Sequence, residues 1–180
     1  MRESMRVISD PLSDALALVR ARCRITGGFR AGGQWSLRFR PEVPVKLDAV
    51  VEGRCWLLAD GQQPVLLEAG EAVVLSRAGA FVLCSDPAVP PAEAHDALVP
   101  SGGALAQAGT GSEVVVVGGH VEVDGGGEEL LLPVLPRVTR VAGRAPEAAE
   151  LRSLLQRLLA VNVVLDGGAW KIAGIDTFSG

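Results

Sequence analysis

The stretch from Val45 to Asp86, VKLDAVVEGRCWLLADGQQPVLLEAGEAVVLSRAGAFVLCSD, decides the fold. Its apolar runs are short and are separated at regular intervals by turn residues, namely Gly53, Asp60-Gly61, Ala69-Gly70 and Ala78-Gly79. Runs of about 5–7 residues between glycine turns are typical of a small antiparallel barrel or sandwich. The pattern predicts strands at Lys46–Val51, Arg54–Ala59, Val65–Leu67, Ala72–Leu75 and Phe81–Cys84. Such a fold has an interior that can hold one small molecule.

Length and composition bound the class of protein. The chain has 180 residues, of which 48% are hydrophobic, and a net charge of −4. One globular domain is expected at this size. Direct DNA binding by these residues is not expected, because the sequence has no cluster of Lys and Arg. No segment matches a secretory signal or a membrane span. The three cysteines lack paired spacing, which predicts reduced thiols in a cytoplasmic protein.

The segments before the central stretch predict one helix, over residues 11–20, and two strands. The helix is indicated by apolar residues that recur at helical spacing after Asp10-Pro11. The first strand, Cys23–Thr26, is expected to end at Gly27-Gly28. The second, Gln34–Phe39, alternates apolar and polar residues and therefore predicts one buried face.

The composition changes beyond the central stretch. Residues from Pro87 to Gly111 are rich in Pro, Ala, Gly and Ser, which predicts a long surface loop with His95 and Asp96 in solvent. Val114–Val117 is a continuous β-branched run and predicts a strand that is covered on both faces. Gly118-Gly119 then indicates a bulge or a close approach of two backbones.

The C-terminal part predicts one more helix and a hairpin. From Pro146 onward, leucines recur at helical spacing and form a stripe of Leu151, Leu154, Leu155, Leu158 and Leu159. This stripe can form a dimer seam or cover an open sheet, and the pattern does not choose between the two. The tail from Asn162 to Ile172 predicts a hairpin. We therefore expect a barrel domain over residues 1–145, followed by a helix and tail over residues 146–180.

Several segments follow one another in an order that is specific when taken together. They are DPLSDAL, GG at 27–28 followed by WSLRF, LDAVVEGRCWL, LEAGEAVVL, FVLCSDP, and GGHVEVD followed by LLPVLP. In this collinear order, over about residues 9–160, the chain resembles the cupin sensor domain of AraC-type bacterial transcription regulators.

The resemblance implies a jelly-roll barrel that binds an effector inside, dimerises through nearby helices and regulates transcription. In such regulators a pair of helix-turn-helix units follows the sensor. This sequence ends at Gly180, where no such unit fits, and after residue 160 it departs from the family's usual second helix. The expectation is therefore a truncated or diverged regulator, or a free-standing sensor.

Metal-dependent cupins are the enzyme alternative, for example an isomerase or a dioxygenase. Their chemistry needs two histidines and a glutamate on one strand pair, and a further histidine on a later strand. Here the corresponding positions carry Lys46, Asp48 and Phe81. His120 and Glu122 share one face of a strand, but two ligands make a weak site. We therefore predict no metal, no cofactor and no catalysis.

The same replacements predict a binding chamber. Asp48 and Phe81 are expected to point inward, and further candidates to line the chamber are Trp35, Arg38, Trp56 and His120. An apolar cavity with a few convergent polar groups is the usual site for a small molecule. Lys46 and Asp48 are two residues apart and share a face, so they are expected to form either a ligand clamp or a structural ion pair at the barrel mouth. For the aromatic residues, the alternative is a filled core.

The resulting hypothesis is a cytoplasmic, metal-free sensor that binds an unknown small-molecule effector and forms a homodimer through the 146–160 helix. Neither direct DNA binding by this chain nor membrane contact is expected. An effector switches a protein only by binding two states with different affinity, and the 87–111 loop and the 146–160 helix are the candidates to respond. The alternatives are a stand-alone cupin enzyme and a structural dimerisation module with a filled barrel.

Overall fold

The computed structural model describes residues 22–77, 79–103, 105–122, 127–133 and 135–141. The helices predicted over residues 11–20 and 146–160 lie outside the described residues, as does the predicted hairpin in the tail. The division into domains at residue 145 therefore stays a prediction.

Twelve strands and two short helices make up the described part of the chain. The strands are β1 (Arg22–Gly32), β2 (Ser36–Phe39), β3 (Val45–Glu52), β4 (Arg54–Ala59), β5 (Val65–Glu68), β6 (Ala72–Ser76), β7 (Phe81–Cys84), β8 (Ala92–Glu93), β9 (Val99–Pro100), β10 (Ala106–Gly109), β11 (Val114–Glu122) and β12 (Val138–Val141). The helices are α1 (Ala94–Ala97) and α2 (Gly127–Leu131). All five strands predicted in the central stretch are present, each extended by at most one residue at either end.

These strands form two sheets that enclose one apolar interior. The large sheet has the order β12-β6-β3-β11-β1-β10-β9, and the small sheet has the order β5-β4-β7-β2-β8. Neighbouring strands are antiparallel except for the pairs β1–β10 and β2–β8. The predicted all-β, cupin-like jelly roll is confirmed.

The prediction that the first strand ends at Gly27-Gly28 was wrong. Strand β1 continues through these residues to Gly32 and pairs with β11 from Arg22 to Ala31, with a register shift between Ile25 and Gly27. A Cβ atom at Gly28 would lie 2.5 Å from the carbonyl oxygen of Val116. The glycine is therefore needed for a close approach of two backbones inside the sheet, and it does not mark a turn.

The prediction of a long surface loop from Pro87 to Gly111 was also wrong. This segment contains β8, α1, β9 and β10, and β10 pairs in parallel with residues 29–32 of β1. Its apolar residues Leu98, Leu105, Ala106 and Ala108 are buried. Alanine has a low preference for strands, so the sequence alone did not indicate β10. The predicted exposure of His95 and Asp96 is confirmed.

An interior core fills the space between the two sheets. It contains residues of both sheets, including Phe29, Leu37, Phe39, Leu57, Leu75 and Phe81. Phe39 stacks on Phe29 and on Phe81, with ring centroids 6.0 Å and 5.2 Å apart, and Trp35 meets Phe29 edge-on at 5.5 Å. Such aromatic pairs each stabilise a core by about 0.5–1.5 kcal/mol beyond the burial of their area.

A second apolar cluster, the outer cluster, lies on the other face of the large sheet. It consists of Leu47, Ala49, Val51, Ala72, Leu105, Val115 and Val117. Val114 and Val116 belong to the interior core, whereas Val115 and Val117 belong to the outer cluster. The prediction that Val114–Val117 is covered on both faces is therefore confirmed.

Candidate functional site

Lys46 and Asp48 project from β3 into the interior. Lys46 pairs in register with Leu75 of β6, and Asp48 pairs with Val73; both partners belong to the interior core. Residues directly opposite each other in adjacent strands share a face, so both charged side chains point inward, away from Leu47 in the outer cluster. Their exposed fractions are only 1% and 3%. The pair therefore lies in the interior and not at the barrel mouth.

The ammonium group of Lys46 is fully hydrogen-bonded by the protein. Its Nζ atom donates to Oδ1 of Asp48 at 2.9 Å, to the carbonyl oxygen of Leu47 at 3.1 Å and to the carbonyl oxygen of Gly119 at 3.1 Å. A lysine ammonium has three protons to donate. Each of them therefore already has an acceptor.

The carboxylate of Asp48 is only half satisfied. Oδ1 accepts the hydrogen bond from Lys46, whereas Oδ2 is sealed from solvent and has no hydrogen-bond partner among the described residues. Burial raises the pKa of Asp48, and the charge and hydrogen bond of Lys46 offset part of this effect. Burying a polar atom without a partner costs about 1–3 kcal/mol in proteins. Oδ2 is thus an unused acceptor inside an apolar core.

Cys55 is a further residue of the site, and the sequence analysis did not include it. It lies on β4 of the small sheet, belongs to the interior core and is a free, buried thiol. Burial raises its pKa to about 12, and the charge of Asp48 adds to the shift. The thiol is therefore protonated near the carboxylate. Asp48 and Cys55 enter the same interior from opposite sheets, and strand periodicity does not reveal which residues of two sheets face each other.

A cluster of three polar residues, the mouth cluster, lies beside this pair at the end of the large sheet. His120 pairs in register with Lys46 on one strand and with Arg24 on the other. The side chains of His120, Lys46 and Arg24 therefore lie on the same face of the sheet. Oε1 of Glu122 lies 3.2 Å from Nε2 of His120 and 3.0 Å from Nε of Arg24. The His120 side chain is 21% exposed. The mouth cluster (Arg24, His120 and Glu122) therefore connects the buried pair to the surface.

Arg38 and Trp56 do not join the chamber predicted for them. Leu37 and Phe39 flank Arg38 on β2, and Cys55 and Leu57 flank Trp56 on β4; all four flanking residues belong to the interior core. Side chains alternate between the two faces of a strand, so Arg38 and Trp56 lie on the outer face of the small sheet. There Arg38 forms an ion pair with Glu93 at 3.3 Å. The alternation in Gln34–Phe39 predicted one buried face, but the chamber residues were chosen by residue type and not by that face.

Trp35 and Phe81 do lie in the interior, where they belong to the aromatic stack. Trp35 is 4% exposed and Phe81 is 2% exposed. Their contacts with Phe29 and Phe39 fill one part of the barrel. Of the predicted site residues, the structure brings together Lys46 and Asp48, with His120 next to them.

The described residues do not fit the metal centre of a cupin enzyme. Within the described ranges, no group of three His, Cys, Asp or Glu side chains could hold a metal ion. The residues that the resemblance places at the metal-ligand positions are Lys46, whose Nζ atom has three hydrogen-bond acceptors, Asp48, which is bound to Lys46, and Phe81. His120 and Glu122 bind each other and Arg24. This donor set lacks the imidazoles that such metals require.

Comparison with known proteins places this barrel in a family. A family model described as Cupin matches residues 10–168. The chain belongs to the cupin family. An AraC-like transcription regulator from Streptomyces lividans is 35% identical to it over 140 residues, and one from Streptomyces antibioticus is 34% identical over the same length. The resemblance to the sensor domain of AraC-type regulators is thereby confirmed.

The matched region is only part of each relative. The 140 matched residues are 77% of this chain but 46% of each Streptomyces regulator, so this cupin chain spans about half the length of the curated relatives it matches.

None of the helices in the described residues is long and apolar enough to cross a membrane.

Among solved structures, the cupin chain is similar to ToxT from Vibrio cholerae O395, with a TM-score of 0.44 and 10% identity, covering 79% of this chain and 47% of ToxT. It is also similar to the protein YhaK from Escherichia coli, with a TM-score of 0.34 and 13% identity, covering 68% of this chain and 40% of YhaK. Similarity at this level says nothing about function.

We expect removal of one member of the buried pair to lower the free energy of unfolding far more than removal of both members. In Lys46→Met the Asp48 carboxylate is left buried without a counter-ion, which should lower the free energy of unfolding by about 3–5 kcal/mol. The double variant Lys46→Met/Asp48→Leu should lie within about 1 kcal/mol of wild type or be more stable. Urea denaturation measures all three. Arg24→Met, which breaks the exposed pair with Glu122, serves as the control and should cost no more than about 1 kcal/mol. A double variant as unstable as Lys46→Met would contradict this account of the pair.

The raised pKa of Asp48 predicts how stability depends on pH. Below the ordinary aspartate pKa of about 3.9, the carboxyl is protonated in both the folded and the unfolded state. As the pH rises above that value, the unfolded state ionises first and is increasingly favoured, until the pH passes the folded-state pKa. Wild type should therefore lose stability relative to Asp48→Asn as the pH rises from about 4. Urea denaturation of both proteins at a series of pH values gives the difference between their free energies of unfolding. If wild type gained stability relative to Asp48→Asn as the pH rises from about 4, the predicted direction would be refuted.

Proposed function

We propose that this cupin chain is the effector-sensing module of an AraC-type transcription regulator, that it works in the cytoplasm, and that it acts by binding and not by catalysis. The single observation that carries this proposal is the buried Lys46–Asp48 pair, with one carboxylate oxygen unused in the interior. A barrel that only needed a core would be as stable or more stable with apolar residues at these positions. A small-molecule site, in contrast, needs a few polar groups among apolar ones.

The strand order supplies a route from this site to the end of the described residues. Asp48 pairs with Val73 of β6, and Val73 pairs with Arg140 of β12. Arg140 also binds both carboxylate oxygens of Glu71, at 2.6 Å and 2.7 Å. Strand β12 ends at Val141, shortly before the predicted 146–160 helix. An effector that binds at Asp48 would thus act two strands away from the segment that leads into that helix.

Dimerisation through the 146–160 helix is part of the proposal. The leucine stripe is the observation that supports this dimer contact. The helix that carries the stripe follows β12 along the chain, and β12 is the strand that links it to Asp48. DNA contacts are assigned to a part of the regulator other than this barrel, because the chain has a net charge of −4 and no basic block.

A structural dimerisation module is the second candidate. The observation in its favour is the aromatic stack of Phe29, Phe39 and Phe81, which fills part of the interior. Such a module would dimerise without any ligand. Among the described side chains, no arrangement favours the alternative of a cupin isomerase or dioxygenase.

A thermal-shift screen against a metabolite library tests the sensing role. Wild type should be stabilised by at least one compound, and Lys46→Met/Asp48→Leu, which keeps a packed interior, should not respond to that compound. A ligand present at 100 times its dissociation constant adds about 2.7 kcal/mol of stability, which is a shift of several degrees. Asp60→Asn, in an exposed turn, is the matched control and should respond like wild type. Compounds that stabilise wild type and the double variant equally would contradict the site, and no stabilising compound at all would favour the structural module.

A further inference from the structure

The hydrogen-bonding balance of the buried pair restricts what kind of molecule can bind there. All three protons of Lys46 Nζ and the Oδ1 atom of Asp48 are engaged within the protein. Among the described residues, Oδ2 of Asp48 has no hydrogen-bond partner, and the oxygen of a carboxylate that is paired with an ammonium group accepts hydrogen bonds but does not donate them. The pair therefore offers one acceptor to a ligand and no donor.

The surroundings of Oδ2 are apolar. Across the large sheet, Asp48 has Val73 on one side and Gly118 on the other, and Gly118 has no side chain beside the carboxylate. From the small sheet, Cys55 contributes a protonated thiol to the same core. A ligand that reaches Oδ2 must therefore present an apolar surface around its polar group.

The charge of the pair disfavours ionic ligands. Lys46 lies 2.9 Å from Asp48 and already neutralises it. A carboxylate or phosphate would face Oδ2 with no free proton to bind, and its own dehydration would be uncompensated. An ammonium group would lose its water and would be repelled by the ammonium of Lys46. A neutral hydroxyl group avoids both costs.

We propose that Oδ2 of Asp48 is the recognition point for an uncharged, hydroxyl-bearing ligand with an apolar body. The inference rests on the proposed function and names the class of effector for it. Because Oδ2 is sealed from solvent, the ligand reaches it only in a state in which the interior opens, and this opening lies at the mouth cluster, whose partly exposed His120 pairs in register with Lys46. Binding then stabilises that state relative to the sealed one, which is the differential affinity that a switch requires.

Four probes with the same ring test this inference: benzyl alcohol, benzoate, benzylammonium and toluene. All four share an apolar ring. Benzyl alcohol carries a neutral hydroxyl donor, benzoate a negative charge and benzylammonium a positive charge, and toluene has no polar group. Affinities are measured by ligand-observed saturation-transfer NMR titrations. For wild type, benzyl alcohol should bind about tenfold or more tightly than each of the others, since a hydrogen bond to a charged group contributes about 1.5–3 kcal/mol.

The variant Asp48→Asn makes the test specific. The side-chain oxygen of the asparagine can still accept a hydrogen bond from Lys46, and its NH₂ group then stands in the place of Oδ2. The ammonium of Lys46 beside it no longer has a counter-charge. The order of the probes should therefore reverse, with benzoate bound more tightly than benzyl alcohol. A reversal cannot result from partial unfolding, which would weaken every probe alike. Asp60→Asn should keep the wild-type order.

Three results would overturn the inference: benzoate or benzylammonium preferred by wild type, an order that Asp48→Asn leaves unchanged, or no binding by any probe. The metabolite screen separates this failure from that of the sensing role. A charged metabolite that stabilises wild type but not Lys46→Met/Asp48→Leu would refute the ligand class and keep the sensor. No binding by the probes together with no hit in the screen would refute both.

Discussion

The buried ion pair of Lys46 and Asp48 is the interaction that constrains the register of the strands around it. Removing two charges from water costs several kcal/mol per ion, and attraction between them offsets this cost only with good geometry and further hydrogen bonds. Here the further bonds come from the backbone, since Leu47 and Gly119 supply carbonyl oxygens to the ammonium. Gly119 also pairs with β1 so closely that a side chain at this position would strike the backbone of Arg24. Three adjacent strands thus have to keep their register for the pair to be satisfied.

Strand β3 has to satisfy two environments at once, which explains its composition. Seven of its eight residues, Val45–Val51, are buried. The inward residues include the ion pair, whereas Leu47, Ala49 and Val51 pack in the outer cluster. A shift of the register by one residue would exchange the two sets and place both charges in the outer cluster. The rest of the interior is apolar and includes the stacked rings of Phe29, Phe39 and Phe81.

The sequence predicted the central barrel well because turns and strands there are local features. Glycine turns and short apolar runs were enough to place β3 to β7, and a spacing of two residues was enough to put Lys46 and Asp48 on one face. The failures arise where residue type suggested one structure and tertiary contacts required another. Gly28 indicated a turn but lies in a close strand pair, and Ala106 and Ala108 indicated a loop but belong to a buried strand.

The candidate site was predictable only in part, for a related reason. The positions of Lys46 and Asp48 follow from their own strand, whereas Cys55 enters the same interior from the opposite sheet. Arg38 and Trp56 were chosen for their chemistry, and the alternation of their strands directs them outward. The comparisons identify the family and its AraC-like relatives. Lys46, Asp48 and Phe81, which the resemblance places at the metal-ligand positions, support the proposal that this member recognises a molecule without a metal.

The most direct measurement is the ¹³C NMR signal of the Asp48 side-chain carboxyl, assigned by its loss in Asp48→Asn, during titration with a ligand that stabilises the protein. A ligand that donates to Oδ2 changes the electronic environment of that carbon, and the account predicts that the Asp48 signal shifts with the binding curve while that of Asp60 stays in place. A ligand that binds the barrel and leaves the Asp48 signal unchanged would contradict the claim that the buried pair is the effector site.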